Sequence, residues 1–344
     1  MRRNRLTTLG AAAAALALCV GVVPAAAQAP AADAGHRSRS PYTFAVIGDI
    51  PYGTTQVEQF PRVVAQINAD PDVRLVDHLG DIKNGSSVCS DDYFRLIRSS
   101  FDRFRDPLVY TPGDNEWTDC HRPNNGAYNP LERLDALRTV FFPRPGQTLG
   151  RRPALVESQA RQGYPENVHY RRAGVSFGVP HLVGSNNGLA PWTGSTGPTP
   201  AQTAEVLGRT AAAVELIHDT FEEARRHGDR AVVLMTQADM FDPTVAKPTY
   251  ADYYAFQPIV RAIAQETADY GGPVYLLNGD SHVYNSDRPL AAGSKWLDLY
   301  GIAAVSNLER ITVDGSDNND DYLKVTIQPR GRAVLTWERV PYTL

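Results

Sequence analysis

The sequence predicts an α/β fold in which β-strands alternate with helices that cover the sheets. Its 344 residues have an ordinary globular composition, with 42% hydrophobic and 21% charged residues. From residue 42 onward, short β-rich apolar runs alternate with stretches of helical periodicity. Strands that share a sheet gather their ends at one edge, and four apolar runs end in similar turns, at Asp49, Asp81, Asp114 and Asp280.

The first half of the chain after residue 42 alternates three strands with three helices. Residues 93–104 illustrate the helical periodicity, because the apolar side chains Phe94, Ile97, Phe101 and Phe104 recur at helical spacing. The predicted strands cover residues 42–47, 73–79 and 108–111, and the predicted helices cover residues 57–68, 93–104 and 131–142.

The second half begins with an irregular surface segment at residues 143–165, where glycine, proline and arginine follow no clear period. Residues 168–171 and 175–184 are predicted to form an antiparallel pair that turns at Ala173-Gly174. Residues 188–202 form a connector, or alternatively a lid anchored by Trp192. The remaining elements are helices at 203–227 and 257–270 and strands at 231–235, 274–277, 296–300, 308–313, 322–327 and 333–337.

The N-terminus is predicted to be a signal peptide over residues 1–29. Arg2, Arg3 and Arg5 precede an apolar, alanine-rich run at 9–23, and small residues follow, which is the layout of a secretory leader. Residues 30–41 are small, polar and proline-bearing, so they are expected to be a flexible segment before a domain at 42–344. We therefore expect the mature protein to be secreted or periplasmic.

Charge and hydropathy argue against two classes of partner. The formal net charge is -4, and removal of residues 1–29 with their three arginines lowers it to -7. An acidic chain with no basic face does not favour nucleic acid. No apolar run after the leader is long enough to cross a bilayer.

Two cysteines, Cys89 and Cys120, remain after the leader is removed. An exported protein oxidises such a pair when the two thiols lie close together, so we predict one disulfide between them. Its expected role is structural, as a covalent link between two long loops. A redox role and metal ligation by the thiols are the alternatives.

The turn aspartates, together with the Asp280-Ser281-His282 turn, predict a metal site. Carboxylates crowded at one sheet edge repel one another, and a divalent cation removes that repulsion. Several oxygen ligands and one imidazole suit manganese, iron, zinc or magnesium without selecting one of them. A single aspartate after a strand is usually a turn former, but an ordered set of four indicates a site with room for two ions.

This order of motifs resembles the calcineurin-like metallophosphoesterases, whose pattern runs D-x-H, G-D-x-x-D, G-N-H-[DE], a single His and G-H-x-H. The resemblance spans residues 49 to 282. It assigns Asp49 to the first motif, Asp81 to the aspartate that bridges two metals, and His282 to the final histidine. It also implies the architecture, which is two mixed β-sheets packed as a sandwich and flanked by helices, in four αββα layers.

The chain departs from that pattern at several positions. Pro51 stands where the first motif has its histidine, and Tyr52 is the neighbour that would substitute for it. The other replacements are Asn84 for the second aspartate, Asp114 for the asparagine, Asn115 for the histidine of the third motif, Gln237 for the single histidine and Asp280 for the first histidine of the last motif. The loss of nitrogen ligands implies either a harder second site, which binds magnesium, calcium or manganese more readily than zinc, or a second site that binds its metal weakly.

The resemblance implies a hydrolase that cleaves a phosphomonoester or phosphodiester by attack of a metal-bound hydroxide. Its cofactors would be one or two divalent ions, and its substrate a small-molecule or polymeric phosphoester. Asn115 would hold a phosphoryl oxygen, and His121, Lys83 or Asp239 would protonate the leaving group. The expected metal ligands are Asp49, Asp81, Asp114, Gln237, Asp280 and His282.

Two other functions stay open at this point. The first is a non-catalytic member of the same fold, which binds a metal or another ligand but has lost turnover along with its histidines. The second is a carbohydrate-binding or wall-associated module, which would show an exposed aromatic strip and no metal. Among single residues, His78 would either support Asp81 or point away from it, His181 is expected in the core, and Ser185 would form a simple turn or line the pocket.

Overall fold

The computed structural model describes residues 40–344, whose strands form two mixed β-sheets. The strands are β1 (Tyr42–Ile47), β2 (Val73–His78), β3 (Leu108–Tyr110), β4 (Glu157–Gln159), β5 (Tyr164–Arg172), β6 (Val175–Val179), β7 (Ala231–Thr236), β8 (Val274–Asn278), β9 (Asn285–Asp287), β10 (Leu308–Thr312), β11 (Asp321–Ile327) and β12 (Leu335–Pro341). The first sheet has the order β12-β11-β1-β2-β3, and the second has the order β4-β5-β6-β7-β8-β10-β9.

Each sheet contains a run of parallel strands. β1, β2 and β3 run parallel, and β11 and β12 extend the first sheet in antiparallel fashion. In the second sheet β6, β7, β8 and β10 are parallel, while β5 and β9 pair antiparallel at the two sides. The carboxyl ends of the parallel strands are therefore available to carry a site.

The two sheets pack face to face, and β1 shows how the sequence achieves this. Side chains alternate between the two faces of a strand. Phe44 and Val46 enter the apolar core between the sheets, where the Phe44 and Phe177 rings meet edge to face at 5.6 Å. Ala45 and Ile47 point the other way, into the core beneath the helices. β1 is thus buried on both sides.

Helices cover both outer faces of the sandwich. Gly53–Ala69, Asp91–Phe101 and Pro130–Phe141 pack on the first sheet. Pro200–His227, Gln257–Tyr270 and Lys295–Tyr300 pack on the second. The order helix, sheet, sheet, helix confirms the predicted four-layer αββα architecture.

The sequence prediction was wrong at residues 296–300, which form the helix Lys295–Tyr300 and not a strand. The Ser294 hydroxyl oxygen accepts a hydrogen bond from the Trp296 amide and caps this helix. Trp296 and Tyr300, four residues apart, both pack on Phe241 at ring distances of 5.8 and 5.9 Å. Five residues are too few for hydrophobic periodicity to distinguish a helix from a strand.

Several boundaries also differ from the prediction. The segment 143–165 was predicted to be irregular, but it contains the edge strand β4. The strand predicted at 175–184 ends at Val179. The long helix starts at Pro200 because Thr199 forms a capping box with Gln202.

Within residues 40–344, no helix combines the length and apolarity that a membrane span requires. The predicted signal peptide at 1–29 lies outside the described residues, as does most of the predicted flexible segment at 30–41.

Candidate metal centre

The turn aspartates of both sheets converge at one edge of the sandwich. Asp49, Asp81 and Asp114 follow β1, β2 and β3, whereas Asp280 follows β8 of the second sheet. The Asp49 amide donates to Gly80 O at 3.0 Å, which joins the first two turns. The Asp280 amide donates to the Asp49 carboxylate at 3.1 Å and so connects the two sheets.

The backbone of these turns is left-handed at four of the site residues. The φ angles are 52° at Asp49, 55° at Asp81, 72° at Asp280 and 62° at His282. A side chain in this region costs roughly 1 kcal/mol. Such residues cluster at functional sites, where the surrounding structure holds them in place. Here the turns aim carboxylates and an imidazole at a common point.

The converging side chains form two groups of possible ligands. Atoms of Asp49, Asp81 and His282 all lie within 4.8 Å of one another, and atoms of Asp81, Asp114 and Asp280 do so as well. Asp81 belongs to both groups, so its carboxylate lies where it would bridge two cations. The two groups together contain four carboxylates and one imidazole, which are side chains that bind divalent metal ions.

A glycine keeps the second group accessible. A Cβ atom at Gly184 would lie 2.7 Å from Asp114 Oδ2 and 2.8 Å from Asp280 Oδ1. Both distances are shorter than van der Waals contact, so any other residue would press on these two carboxylates. The backbone of Gly184 therefore forms one wall of the candidate second site.

The electrostatics of the group also favour a bound cation. Burial, reinforced by the charges of Asp114, Glu116 and Asp49, raises the pKa of Asp81 well above its usual value. Burial and the charges of Asp114 and Asp49 do the same for the pKa of Asp280. Burial lowers the pKa of His282, but its hydrogen bond to Asp49 and the charge of that carboxylate outweigh this, so the pKa is raised. A divalent ion would remove the repulsion that disfavours the ionised carboxylates.

Comparison with sequence models of protein families identifies the family of this chain. A sequence model described as calcineurin-like phosphoesterase matches residues 42–284. The chain belongs to the calcineurin-like phosphoesterase family. A search of curated proteins found no match.

Two solved structures illustrate what this calcineurin-like phosphoesterase is similar to. GAP50, the anchor in the inner membrane complex of Plasmodium, is 8% identical, with a TM-score of 0.42 over 88% of this chain and 90% of that chain. The purple acid phosphatase PPD1 from yellow lupin (Lupinus luteus) seeds is 10% identical, with a TM-score of 0.47 over 89% of this chain and 52% of that chain.

In this calcineurin-like phosphoesterase, Tyr52 and Asn115 both contact Asp81. The Tyr52 hydroxyl donates to Asp81 Oδ2 at 2.8 Å and lies 3.4 Å from His282 Nε2. The Asn115 side-chain amide donates to Asp81 Oδ2 at 2.6 Å and to the Tyr52 hydroxyl at 2.9 Å. Tyr52 therefore stands next to the first group, and both amide hydrogens of Asn115 are engaged.

Gln237 lies beside the second group. Its side-chain nitrogen donates to Asp280 Oδ1 at 2.9 Å, and its side-chain oxygen accepts the Gly184 amide hydrogen at 2.7 Å. The oxygen that would ligate a metal thus already has one hydrogen bond. In this arrangement Gln237 orients Asp280 and the Gly184 backbone.

Glu116 is a supporting residue to which sequence reasoning assigned no role. Its buried Oε1 accepts hydrogen bonds from the Gly113 amide at 2.7 Å, the Tyr110 hydroxyl at 2.8 Å and the Asp81 amide at 3.1 Å. It therefore ties the turn after β2 to the turn after β3. The sequence feature that could have indicated this role is the position of Glu116 in the third motif, Gly113-Asp114-Asn115-Glu116.

Ser185 lies on an unusual turn at Gly184–Asn187. Ser185, Asn186 and Asn187 have φ angles of 53°, 54° and 53°, which makes a short left-handed segment. Its hydroxyl lies 2.8 Å from Asp114 Oδ2 and 3.2 Å from Asp119 Oδ1. The buried Arg209 fixes the turn through hydrogen bonds to Asn187 Oδ1 at 2.6 Å and Asn187 O at 2.8 Å. Ser185 thus contacts the second group and is not merely part of a connecting turn.

His78 and His181 are both buried. The Gly80 amide donates to Nδ1 of His78 at 3.2 Å, so Nε2 carries the proton and donates to Ile50 O at 2.8 Å. His78 therefore supports the turns that carry Asp49 and Asp81. His181 is fully buried against Glu166, with its Nδ1 3.0 Å from Glu166 Oε1, which confirms its predicted place in the core.

The three candidate proton donors have different surroundings. His121 stacks on Trp192 at 6.4 Å, and its Nδ1 accepts the Thr193 amide hydrogen at 2.9 Å. Lys83 is fully buried and donates to Asn84 O at 2.8 Å and Asn115 O at 2.7 Å; burial lowers its pKa to about 8. Asp239 is ion-paired with the buried Arg310 at 2.6 Å.

The predicted disulfide is present between Cys89 and Cys120, whose Cα atoms are 5.9 Å apart. Both sulfur atoms approach Asn115 O, at 3.6 Å and 3.7 Å. The same carbonyl accepts the Lys83 hydrogen bond. The disulfide and the lysine therefore fix the main chain of the third motif, next to the candidate metal ligands.

Proposed function

We propose that this protein is a secreted or periplasmic metal-dependent phosphoesterase that hydrolyses a phosphomonoester or a phosphodiester. One observation carries the proposal. Two groups of three ligand residues share Asp81 at the edge of a calcineurin-like phosphoesterase domain. This is the arrangement needed to hold two divalent ions side by side.

In this proposal each ion has its own set of ligands. Asp49, Asp81 and His282 hold the first, and Asp81, Asp114 and Asp280 hold the second, with Gln237 beside it. Ions bound there would polarise the phosphoester and lower the pKa of a water molecule. Manganese, iron, magnesium, calcium and zinc all accept such donors, and the predominance of oxygen favours the harder cations. Asn115 holds the Asp81 carboxylate by hydrogen bonds to both of its oxygens, in a place where it would belong to both ligand sets.

His121 is the proposed proton donor to the leaving group. Because its Nδ1 accepts the Thr193 amide hydrogen, the neutral ring carries its proton on Nε2, which can donate. Burial and the neighbouring Arg122 lower the pKa of His121. Lys83 and Asp239 suit the role less, because main-chain carbonyls engage the lysine and Arg310 engages the aspartate.

The function is tested by metal analysis of purified protein, followed by assays with p-nitrophenyl phosphate and bis(p-nitrophenyl) phosphate. We expect one or two divalent ions per chain and turnover of at least one ester. Asp81→Asn is expected to abolish turnover and reduce metal content, whereas the exposed Asp135→Asn on the helix Pro130–Phe141 leaves both unchanged. Turnover that survives Asp81→Asn contradicts the proposal.

The second candidate function is a non-catalytic protein that binds a metal or another ligand with the same fold. It is favoured by Asn115 and Gln237, two amides that cannot act as acids, at positions where the family has histidines. Full metal occupancy without hydrolysis of either ester would support this alternative.

Export rests on the N-terminal sequence and on the disulfide, since disulfides persist in oxidising compartments. N-terminal sequencing of protein recovered outside the cytoplasm tests it. A mature chain that begins near residue 30 is expected, and an uncleaved chain in the cytoplasm contradicts the proposal.

A further inference from the structure

Arg122 presents a guanidinium group at the edge of the candidate metal centre. It follows the short 3-10 helix Thr118–His121, which is part of the loop after β3. Its Nη2 pairs with Asp119 Oδ2 at 2.7 Å, and the Asp119 side chain is only 5% exposed. The Arg122 side chain is 41% exposed. A buried carboxylate thus orients an arginine whose outer edge faces solvent.

Gly85 lies close to both Arg122 and Asn115. A Cβ atom at Gly85 would lie 3.2 Å from Arg122 Nη1 and 3.1 Å from Asn115 Oδ1. A larger residue at position 85 would press on both side chains, so the glycine leaves Arg122 Nη1 unobstructed on this side. In the described part of the chain, Nη1 of Arg122 donates to no protein acceptor, so its hydrogens are available to a ligand that approaches the exposed edge of the guanidinium.

Other donors close to the centre are already engaged. The Asn115 amide hydrogens go to Asp81 and Tyr52, at 2.6 and 2.9 Å. The Lys83 ammonium donates to two main-chain carbonyls and is buried. A phosphoryl oxygen needs a donor that is both charged and free, and Arg122 meets both conditions.

Arg122 is also connected to the second ligand group. Asp119, its partner, lies 3.2 Å from the Ser185 hydroxyl through Oδ1, and the same hydroxyl lies 2.8 Å from Asp114 Oδ2. The chain Arg122, Asp119, Ser185 and Asp114 therefore sets the position of the guanidinium relative to the ligands. A planar guanidinium fixed at one edge suits recognition of a phosphoryl group.

We infer that Arg122 is the substrate-binding residue that receives a non-bridging oxygen of the phosphoryl group through its exposed guanidinium edge, and that Asp119 positions it. The inference rests on the proposed function and assigns to Arg122 the phosphoryl contact that the family resemblance assigned to Asn115. The ligand it requires is a phosphate oxyanion.

The test compares Arg122→Gln and Arg122→Lys with Arg95→Gln in the metal-loaded full domain. Arg95 is a matched control, since it also pairs with an aspartate three residues earlier, Asp92, at 2.9 Å, but lies on an exposed helix. Binding of inorganic phosphate is measured by calorimetry, KM and kcat are measured with the chromogenic esters, and metal content is measured for each variant.

We expect Arg122→Gln to weaken phosphate binding and raise KM by about 10- to 100-fold, the loss of one charge-assisted contact. Metal content and the melting temperature stay unchanged, Arg122→Lys recovers part of the loss, and Arg95→Gln has no effect. Unchanged phosphate affinity in Arg122→Gln overturns the inference, and so does a loss of affinity that is fully explained by lost metal.

The two proposals fail in different ways. A wild-type protein that binds phosphate through Arg122 but hydrolyses neither ester supports the inference and contradicts the proposed catalysis. A wild-type protein that hydrolyses an ester with the same KM as Arg122→Gln contradicts the inference alone. A metal-loaded wild type that binds no phosphate also overturns the inference.

Discussion

Asp77 is a carboxyl group buried between the two sheets, away from the metal centre. Its Oδ1 accepts a hydrogen bond from the Tyr170 hydroxyl at 3.1 Å, and its Oδ2 has no partner in the described residues. Burial raises the pKa of Asp77 to about 8. The folded protein therefore holds this group protonated up to about pH 8, while the unfolded chain ionises near pH 4.

This difference predicts that Asp77→Asn stabilises the protein at high pH. Since the unfolded state loses its proton first, Asp77 lowers the free energy of unfolding as the pH rises from about 4 to about 8. Asparagine keeps an oxygen for Tyr170 and cannot ionise. We expect a gain of a few kcal/mol at pH 8, because one pKa unit is worth about 1.4 kcal/mol, and almost none at pH 4.

Urea unfolding at pH 4, 6 and 8 measures the effect, with the exposed Asp135→Asn as the control. A gain that is the same at all three pH values would show that Asp77 does not titrate as the structure implies.

Glu116 leads to a prediction of the opposite sign. Its Oε1 accepts hydrogen bonds from three buried donors, on Gly113, Tyr110 and Asp81. Glu116→Ala leaves all three unsatisfied, and each costs about 1–3 kcal/mol. We expect a loss of several kcal/mol in unfolding free energy and weaker metal binding, because the Asp81 turn is released.

Glu116→Gln is the matched variant, since its side-chain oxygen can still accept. It should keep most of the stability in urea unfolding and most of the metal affinity in calorimetry. Equal losses in the two variants would mean that the charge of Glu116, and not its role as an acceptor, holds the turns together.

At the scale of single residues, the sequence predicted which carboxylates come together but not which residues support them. Repeated Gly-Asp endings predicted that Asp49, Asp81 and Asp280 converge, because parallel strands bring their ends to one edge. The contact between Ser185 and Asp114 depends on a left-handed segment of three residues that are not glycine. Asparagine tolerates this conformation at single positions, but a run of three such residues is rare, and the hydrogen bonds from Arg209 to Asn187 that hold it here are not visible in the local sequence.

The disulfide is the element with the clearest effect on both stability and the site. It joins residues separated by 31 positions, and a loop of that length is expected to contribute about 3.5 kcal/mol by restricting the unfolded chain. The variant Cys89→Ser/Cys120→Ser should lose roughly this amount in urea unfolding. Metal affinity should also fall, because both sulfur atoms contact Asn115 O beside Asp81.

Wild-type protein kept under reducing conditions is the control for the serine pair, since it loses the bond but retains both sulfur atoms. It should reproduce the loss of stability. Unchanged unfolding in both samples would show that the two loops are held together without the bond.

At the scale of elements, prediction depended on length. The helix Pro200–His227 and the helix Gln257–Tyr270 have enough turns for periodicity to identify them. Two short elements were missed or mistaken, namely β4 with three residues and the helix Lys295–Tyr300 with six. Their structure is decided by tertiary contacts, such as those of Trp296 with Phe241, which local sequence does not show.

At the scale of the whole molecule, the candidate metal centre joins the two sheets. Asp49, Asp81 and Asp114 come from the first sheet, whereas Asp280 and His282 follow β8 of the second. Each ligand group therefore contains side chains from both sheets. An ion bound in either group would hold the sheets together at this edge, so metal binding and folding stability are coupled.

This coupling predicts the effect of metal removal on thermal stability. A ligand present at 100 times its dissociation constant adds about 2.7 kcal/mol to a folded state. Chelation should thus lower the melting temperature by several degrees, and Mn²⁺ should restore it. Asp81→Asn should cancel this response, because Asp81 belongs to both ligand groups.

The same variant should raise the stability of the metal-free protein, since it removes one of several buried carboxylates that repel one another. Differential scanning fluorimetry of wild type, Asp81→Asn and Asp135→Asn, with and without EDTA, measures both effects. Asp135→Asn should behave as wild type. A full Mn²⁺ response in Asp81→Asn would mean that the ion binds elsewhere, and a less stable metal-free Asp81→Asn would mean that its hydrogen bonds outweigh the repulsion. Higher stability of Asp81→Asn without metal, together with no gain in stability when Mn²⁺ is added, would show that the Asp81 carboxylate destabilises the metal-free fold and is required for ion binding.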